Sequence, residues 1–137
     1  METQLAERGE LGEDADIRDN MVTFVASIFR SIRFGSASAH GTANLIRFNY
    51  FLEEGAFARD DASGTYRVDF DATQAASNKL AGAILQLQGD GDYEAASAFV
   101  DRYAVVKEQL QADLDRVAAA GIPVDIVFEQ GLSTLGL

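Results

Sequence analysis

Leu45-Ile46-Arg47-Phe48-Asn49-Tyr50-Phe51-Leu52 places six large apolar side chains in eight positions. Upstream, Ser36-Ala37-Ser38-Ala39 offers hydroxyls that can cap a helix, and downstream Gly55 can end one. The segment therefore predicts a helix from Ala39 to Glu54. Its apolar residues leave little polar face, so the helix must be buried on several sides, as the central helix of a helical domain is.

Working outward, Ile17, Met21, Phe24, Val25, Ile28 and Ile32 recur at helical spacings. Glu13, Asp14 and Asp16 precede them, Arg30 and Arg33 close the run, and Gly35 follows, an order that matches the helix dipole and its stop signal. On the other side, Ala56 to Arg59 and Tyr66 to Phe70 flank the polar stretch Asp60 to Gly64, which reads as a short hairpin. Asp71 with Gln74 has the form of a capping box for a third helix that continues through Leu80, Ile84 and Leu87 to Gly89. Gln88 to Asp92 reads as a turn, Asp92 caps a fourth helix carrying Phe99 and Tyr103, and Val106, Leu110, Leu114 and Val117 mark a fifth that Gly121 and Pro123 terminate. Val124 to Phe128 reads as a C-terminal strand whose only internal pairing candidate is the hairpin. The expected fold is mainly α, with about five helices, a short β-hairpin and that strand, in a single domain over 1–137 with residues 1–13 flexible.

Composition narrows the function classes. Eleven basic against 22 acidic side chains give a net charge of -11, a field that repels phosphate backbones and anionic headgroups, so nucleic acid is not an expected partner. Cysteine is absent, which excludes disulfides, thiolate ligands and cysteine nucleophiles. The start, Met1 to Asp19, is polar and acidic and does not read as a secretory signal. No apolar run approaches the roughly 20 residues that span a bilayer, and the expected location is cytoplasmic.

Few residues carry chemistry by themselves. His40 is the sole histidine, so a zinc site within this chain would need one imidazole and carboxylates, a poor match to zinc coordination. It falls at the start of the central helix, where the positive end of the dipole suits a neutral ring able to donate a hydrogen bond to a carbonyl. Position alone favours a structural role for it. Asp90-Gly91-Asp92 resembles a fragment of a calcium loop, but the later ligands and closing Glu are missing, and a turn with a helix cap accounts for it. The pair Glu53-Glu54 and the acids Glu108, Asp113 and Asp115 read as solvated helix faces. Ser36, Ser38 and Ser133 lack a nucleophile-elbow setting, and no phosphate-cradling glycine loop occurs.

Longer stretches are more informative. Phe29-Arg30-Ser31-Ile32-Arg33-Phe34-Gly35, Ser38-Ala39-His40-Gly41-Thr42-Ala43-Asn44-Leu45-Ile46-Arg47-Phe48-Asn49-Tyr50-Phe51, Leu87-Gln88-Gly89-Asp90-Gly91-Asp92-Tyr93-Glu94, Leu110-Gln111-Ala112-Asp113-Leu114-Asp115-Arg116 and Ile122-Pro123-Val124-Asp125-Ile126-Val127-Phe128-Glu129-Gln130-Gly131 follow one another in register. Together they resemble the C-terminal part of bacterial members of the dipeptidyl-peptidase III family of zinc metallopeptidases. The resemblance runs from about Asn20 to the end.

It implies a fragment of a two-lobed enzyme that removes dipeptides from peptide N-termini in a cleft between the lobes. The family's zinc is held by a His-Glu-x-x-Gly-His type motif and a Glu-Glu-Cys-Arg type motif; neither is in this sequence, so the chain itself is expected to hold no cofactor. The resemblance also changes the reading of His40. In the family an Ala-His pair opening the equivalent helix contributes a histidine that contacts substrate near the scissile bond, and Ala39-His40 matches that pair. Eukaryotic members place an arginine four residues later, where this chain has Asn44, with Arg47 three further on. Three residues turn a helix through most of a full turn, so the choice between Asn44 and Arg47 as the substrate contact stays open. Some bacterial relatives carry a Nudix hydrolase domain ahead of the peptidase part. No Nudix box occurs here, and such a label would describe an absent neighbour.

The expected function is thus that of a C-terminal fragment of a zinc-dependent dipeptidyl peptidase, inactive alone, whose partner is the missing upstream catalytic lobe. The rivals are a stand-alone interaction module that self-associates through an exposed apolar surface, and an acidic calcium binder built on Asp90 and Asp92.

Overall fold

The computed structural model describes residues 5, 8–10, 16–35, 37–125 and 131–136; most of the segment expected to be flexible lies outside them. Among these residues five helices, a two-stranded hairpin and a short 3₁₀ turn follow in order: α1 (Ile17–Ile32), α2 (Ala39–Glu53), β1 (Phe57–Asp60), β2 (Thr65–Val68), α3 (Phe70–Asp90), α4 (Tyr93–Tyr103), α5 (Glu108–Ala119) and Leu132–Leu135.

Local chemistry sets the ends. Asp16 caps α1 by accepting from the Arg18 N–H, Ser38 caps α2 through the Gly41 N–H, and Asp92 caps α4 through the Ala95 N–H. Each cap satisfies one of the amide donors that a helix start leaves without an internal partner. The start of α3 differs from expectation. Asp69, not Asp71, is the cap, accepting from the Ala72 N–H at 2.9 Å, so Phe70 belongs to the helix and not to the hairpin. The other end also runs on: Gly89 is helical, and Gly91, at φ 64°, terminates α3. A left-handed residue is what stops a helix, and of the two glycines Gly91 adopts it.

The hairpin pairs Phe57 with Val68 and Asp60 with Thr65. Its turn is held by the Asp60 carboxylate, which accepts from the N–H groups of Ala62 and Ser63 and is kept below the usual carboxylate range by them. Among the described residues the sheet has these two strands alone. The predicted strand from Val124 falls largely outside the described residues. Val124 and Asp125 form a bend, and the guanidinium of Arg33 holds the carbonyls just before them, from Ile122 at 2.6 Å and Pro123 at 3.2 Å.

As its sequence demands, α2 is the central element, with Leu45, Phe48, Asn49, Tyr50 and Phe51 all buried. Phe48 sits at the middle of an aromatic group, its ring 5.0 Å from Phe29 on α1, 5.1 Å from Phe57 on β1 and 6.1 Å from Tyr66 on β2. Tyr50, Phe99 and Tyr103 form a second group that fixes α4 against α2. Buried Asn49 donates both amide hydrogens, to the carbonyls of Tyr103 at 2.7 Å and Val105 at 2.8 Å, and so ties down the α4–α5 connection. No described helix is long and apolar enough to cross a membrane.

Candidate functional site

Helix α2 begins at the surface and dives into the core, which gives its first turn a special position. Ser38 fixes that turn through a 3.0 Å bond from the Gly41 N–H. His40, the second helical residue, is exposed, and among the described residues its ring makes no hydrogen bond. The ring is therefore available to a ligand and placed at the positive end of the helix.

One turn on, the Asn44 side chain donates to the His40 carbonyl at 2.9 Å, and its oxygen accepts from the Arg47 guanidinium at 3.2 Å. The three residues thus lie on one stripe. Seven residues return a helix to within about 20° of its starting direction, so Arg47 stands almost in line with His40. The turn of three residues that separates Arg47 from Asn44 falls about 60° short of a full circle, and the long arginine side chain closes that gap. Asn44 and Arg47 are thus joined by a side-chain hydrogen bond. Because Ser38 sets the first turn, Ser38→Ala is expected to cost about 1 kcal/mol of stability, read as a shift of the urea midpoint.

Several of the candidate carboxylates are occupied. Glu53 accepts from Arg102 at 2.6 Å and from the Tyr103 hydroxyl at 3.2 Å, and Glu54 pairs with Lys79. Asp113 is not the solvated acid its sequence position suggested. It is 4% exposed, held bidentately by Arg59 at 2.9 and 3.0 Å and bonded by the Tyr66 hydroxyl at 2.7 Å. Arg59 and the neighbouring donors keep its carboxyl well down, at about 2, while burial and the adjoining carboxylate push the Tyr66 phenol up. A legible signal existed: Asp113 lies three residues after Leu110 and four before Val117, on the apolar stripe of its own helix. This cluster is structural, locking α5 to the hairpin.

Among the described residues no three of His, Cys, Asp and Glu converge as metal ligands. The donor set does not fit zinc: the sequence gives the imidazole of His40 no second histidine and no cysteine to join it.

Comparison with known proteins places this arrangement. No family model matches the chain. Over 105 residues, 77% of its length, it is 40% identical to Nudix hydrolase 3 of Arabidopsis thaliana, of which it covers 14%. Among solved structures, dipeptidyl-peptidase III from Caldithrix abyssi superposes with a TM-score of 0.82 at 37% identity, over 91% of this chain and 23% of that one. The fold is that of a segment of dipeptidyl-peptidase III. The enzyme of that name from Corallococcus sp. strain EGB agrees, with a TM-score of 0.81 at 36% identity over 98% of this chain and 24% of that one. The chain thus spans less than a quarter of each relative it matches. Its α2, with His40 at the start, belongs to the shared dipeptidyl-peptidase III fold, and the sequence contains no Nudix box to accompany the plant protein's name.

Proposed function

We propose that this chain is the C-terminal segment of a dipeptidyl-peptidase III-type peptidase, supplying part of the substrate cleft while the zinc site resides in protein outside this sequence. The carrying observation is a match of TM-score 0.82 at 37% identity that uses 91% of this chain but 23% of the enzyme. In this reading His40 donates to the substrate carbonyl oxygen as that atom gains charge, an electrostatic contribution that a donor aimed in advance provides most effectively. Arg47, steadied by Asn44, contacts the peptide further along the stripe. The activity is the release of dipeptides from peptide N-termini.

The test is dipeptide release from an N-terminal dipeptidyl arylamide. It compares the purified chain, the Caldithrix abyssi enzyme deprived of its matching segment and loaded with zinc, and the two mixed. Each part alone is expected to be silent and the mixture active. His40→Ala in the mixture should lower kcat by about 10²-fold or more, the loss seen when one preorganised transition-state donor is removed. Zinc-dependent activity in the chain alone would overturn the reading, as would a silent mixture in which the two parts demonstrably bind.

A further inference from the structure

Helix α3 is buried in its first half alone, through Thr73, Ala76 and Leu80. Its second half is Ala81-Gly82-Ala83-Ile84-Leu85-Gln86-Leu87, apolar in sequence yet left open, with Ile84 41% and Leu85 67% exposed. Beside it lies a cavity of about 300 Å³ between α2, α3 and α4. Leu80, Ile84 and Leu87 line it from α3, Ile46 from α2, and Phe99 and Val100 from α4. On α3 the spacing is four then three, the seam by which a helix meets another helix.

We propose that this groove seats an amphipathic helix with basic residues toward one end, contributed by the part of the peptidase outside this sequence. The inference rests on the functional reading above and names the surface through which the missing part attaches. Three observations select this occupant. First, apart from Arg47 and Gln88 at its edge the walls are apolar side chains that offer no hydrogen bonds, so most of an entering backbone must satisfy its own N–H and C=O groups, as a helix does and an extended segment does not. Leu80 to Leu87 spans about 10 Å, two helical turns. Second, Asp90, Asp92 and Glu94 follow the groove where α3 passes into α4, all exposed, and they favour a cation there. A second copy of a chain with net charge -11 would bring like charge to the same rim. Third, the solved relatives extend far beyond the match, since this chain covers 23% and 24% of them, and they provide the polypeptide from which such a helix is drawn.

The absence of cysteine allows a single label. Leu85→Cys carrying an environment-sensitive fluorophore is titrated with the Caldithrix abyssi enzyme lacking its matching segment. The expected result is a blue-shifted emission on association. In addition, Ile84→Asp combined with Val100→Asp should weaken association at least tenfold with the far-UV spectrum unchanged. Both replaced side chains are exposed, and the label on the otherwise native chain gives a readout independent of how that variant folds. Association with no spectral shift and no effect of the double variant overturns the groove assignment and leaves the functional reading standing. Failure of the parts to associate overturns both. A shift that grows with the concentration of the chain by itself assigns the groove to a second copy and overturns the proposal.

Discussion

Phe48→Ala is expected to lower the unfolding free energy by about 4 kcal/mol, within the range found when a buried aromatic ring is truncated. The residue is 2% exposed and is surrounded by rings from α1, β1 and β2. Each of those rings is anchored in its own element, so the void left by alanine cannot close without moving three elements at once. The loss combines forgone burial, a residual cavity and the edge-to-face contact with Phe29, at 85° between ring planes. Against a whole-domain stability of about 5–15 kcal/mol, such a change leaves a marginal fold. Urea denaturation followed by far-UV circular dichroism measures it. Phe24→Ala is the control, because Phe24 is 38% exposed and should cost far less. A Phe48→Ala loss below about 1.5 kcal/mol would show that the three surrounding elements repack freely, contrary to the geometry.

That hub was legible in the sequence in outline but not in detail. The unbroken apolar character of Leu45 to Leu52 requires burial on more than one side, and the structure surrounds it. The boundaries of α1 follow from Asp16 and Gly35, whose roles are set within a few residues. Local sequence was less decisive where two candidates competed. Asp69 and Asp71 both suit a cap, and Gly89 and Gly91 both suit a stop. Selection came from context: Asp69 accepts from the Ala72 N–H while its own N–H bonds the Ala56 carbonyl beside the hairpin, and Asp92 begins α4 immediately after Gly91.

The candidate site divides the same way. His40 at the start of a capped helix is readable from Ser38-Ala39-His40-Gly41 alone, and its alignment with Asn44 and Arg47 follows from spacings of four and three. What local pattern cannot supply is anything made by residues far apart in the chain. The groove joins Ile46, Leu80 and Val100, and it exists because α2, α3 and α4 pack together without covering their remaining apolar edges. Likewise the Arg59–Asp113 pair connects positions 54 residues apart. An acid on an apolar stripe signals that a partner is needed without saying which.

Asp113→Ala is expected to cost about 3 kcal/mol, near the lower end of what breaking a buried ion pair costs. The lower end applies because Arg59 keeps a second carboxylate, Asp61, at 2.8 Å, so its charge is not left without company. The Tyr66 hydroxyl does lose its acceptor, and α5 then keeps the bond from Arg116 to the Gly64 carbonyl as a link to the hairpin. Asp113→Asn, which keeps size and one acceptor oxygen but loses the charge, should fall between wild type and alanine. The pH dependence supplies a second, independent reading. The folded pKa lies near 2, below the ordinary 3.8, so the unfolded chain binds the proton first as the pH drops. The stabilisation is therefore complete above about pH 5, diminishes as the pH falls through 4, and is exhausted once the pH reaches the folded value near 2. Equilibrium unfolding between pH 6 and 3 should show wild type losing stability faster than Asp113→Asn, with the two curves converging toward the acid end. Parallel curves would mean that Asp113 titrates alike in both states and that the clasp contributes packing without charge.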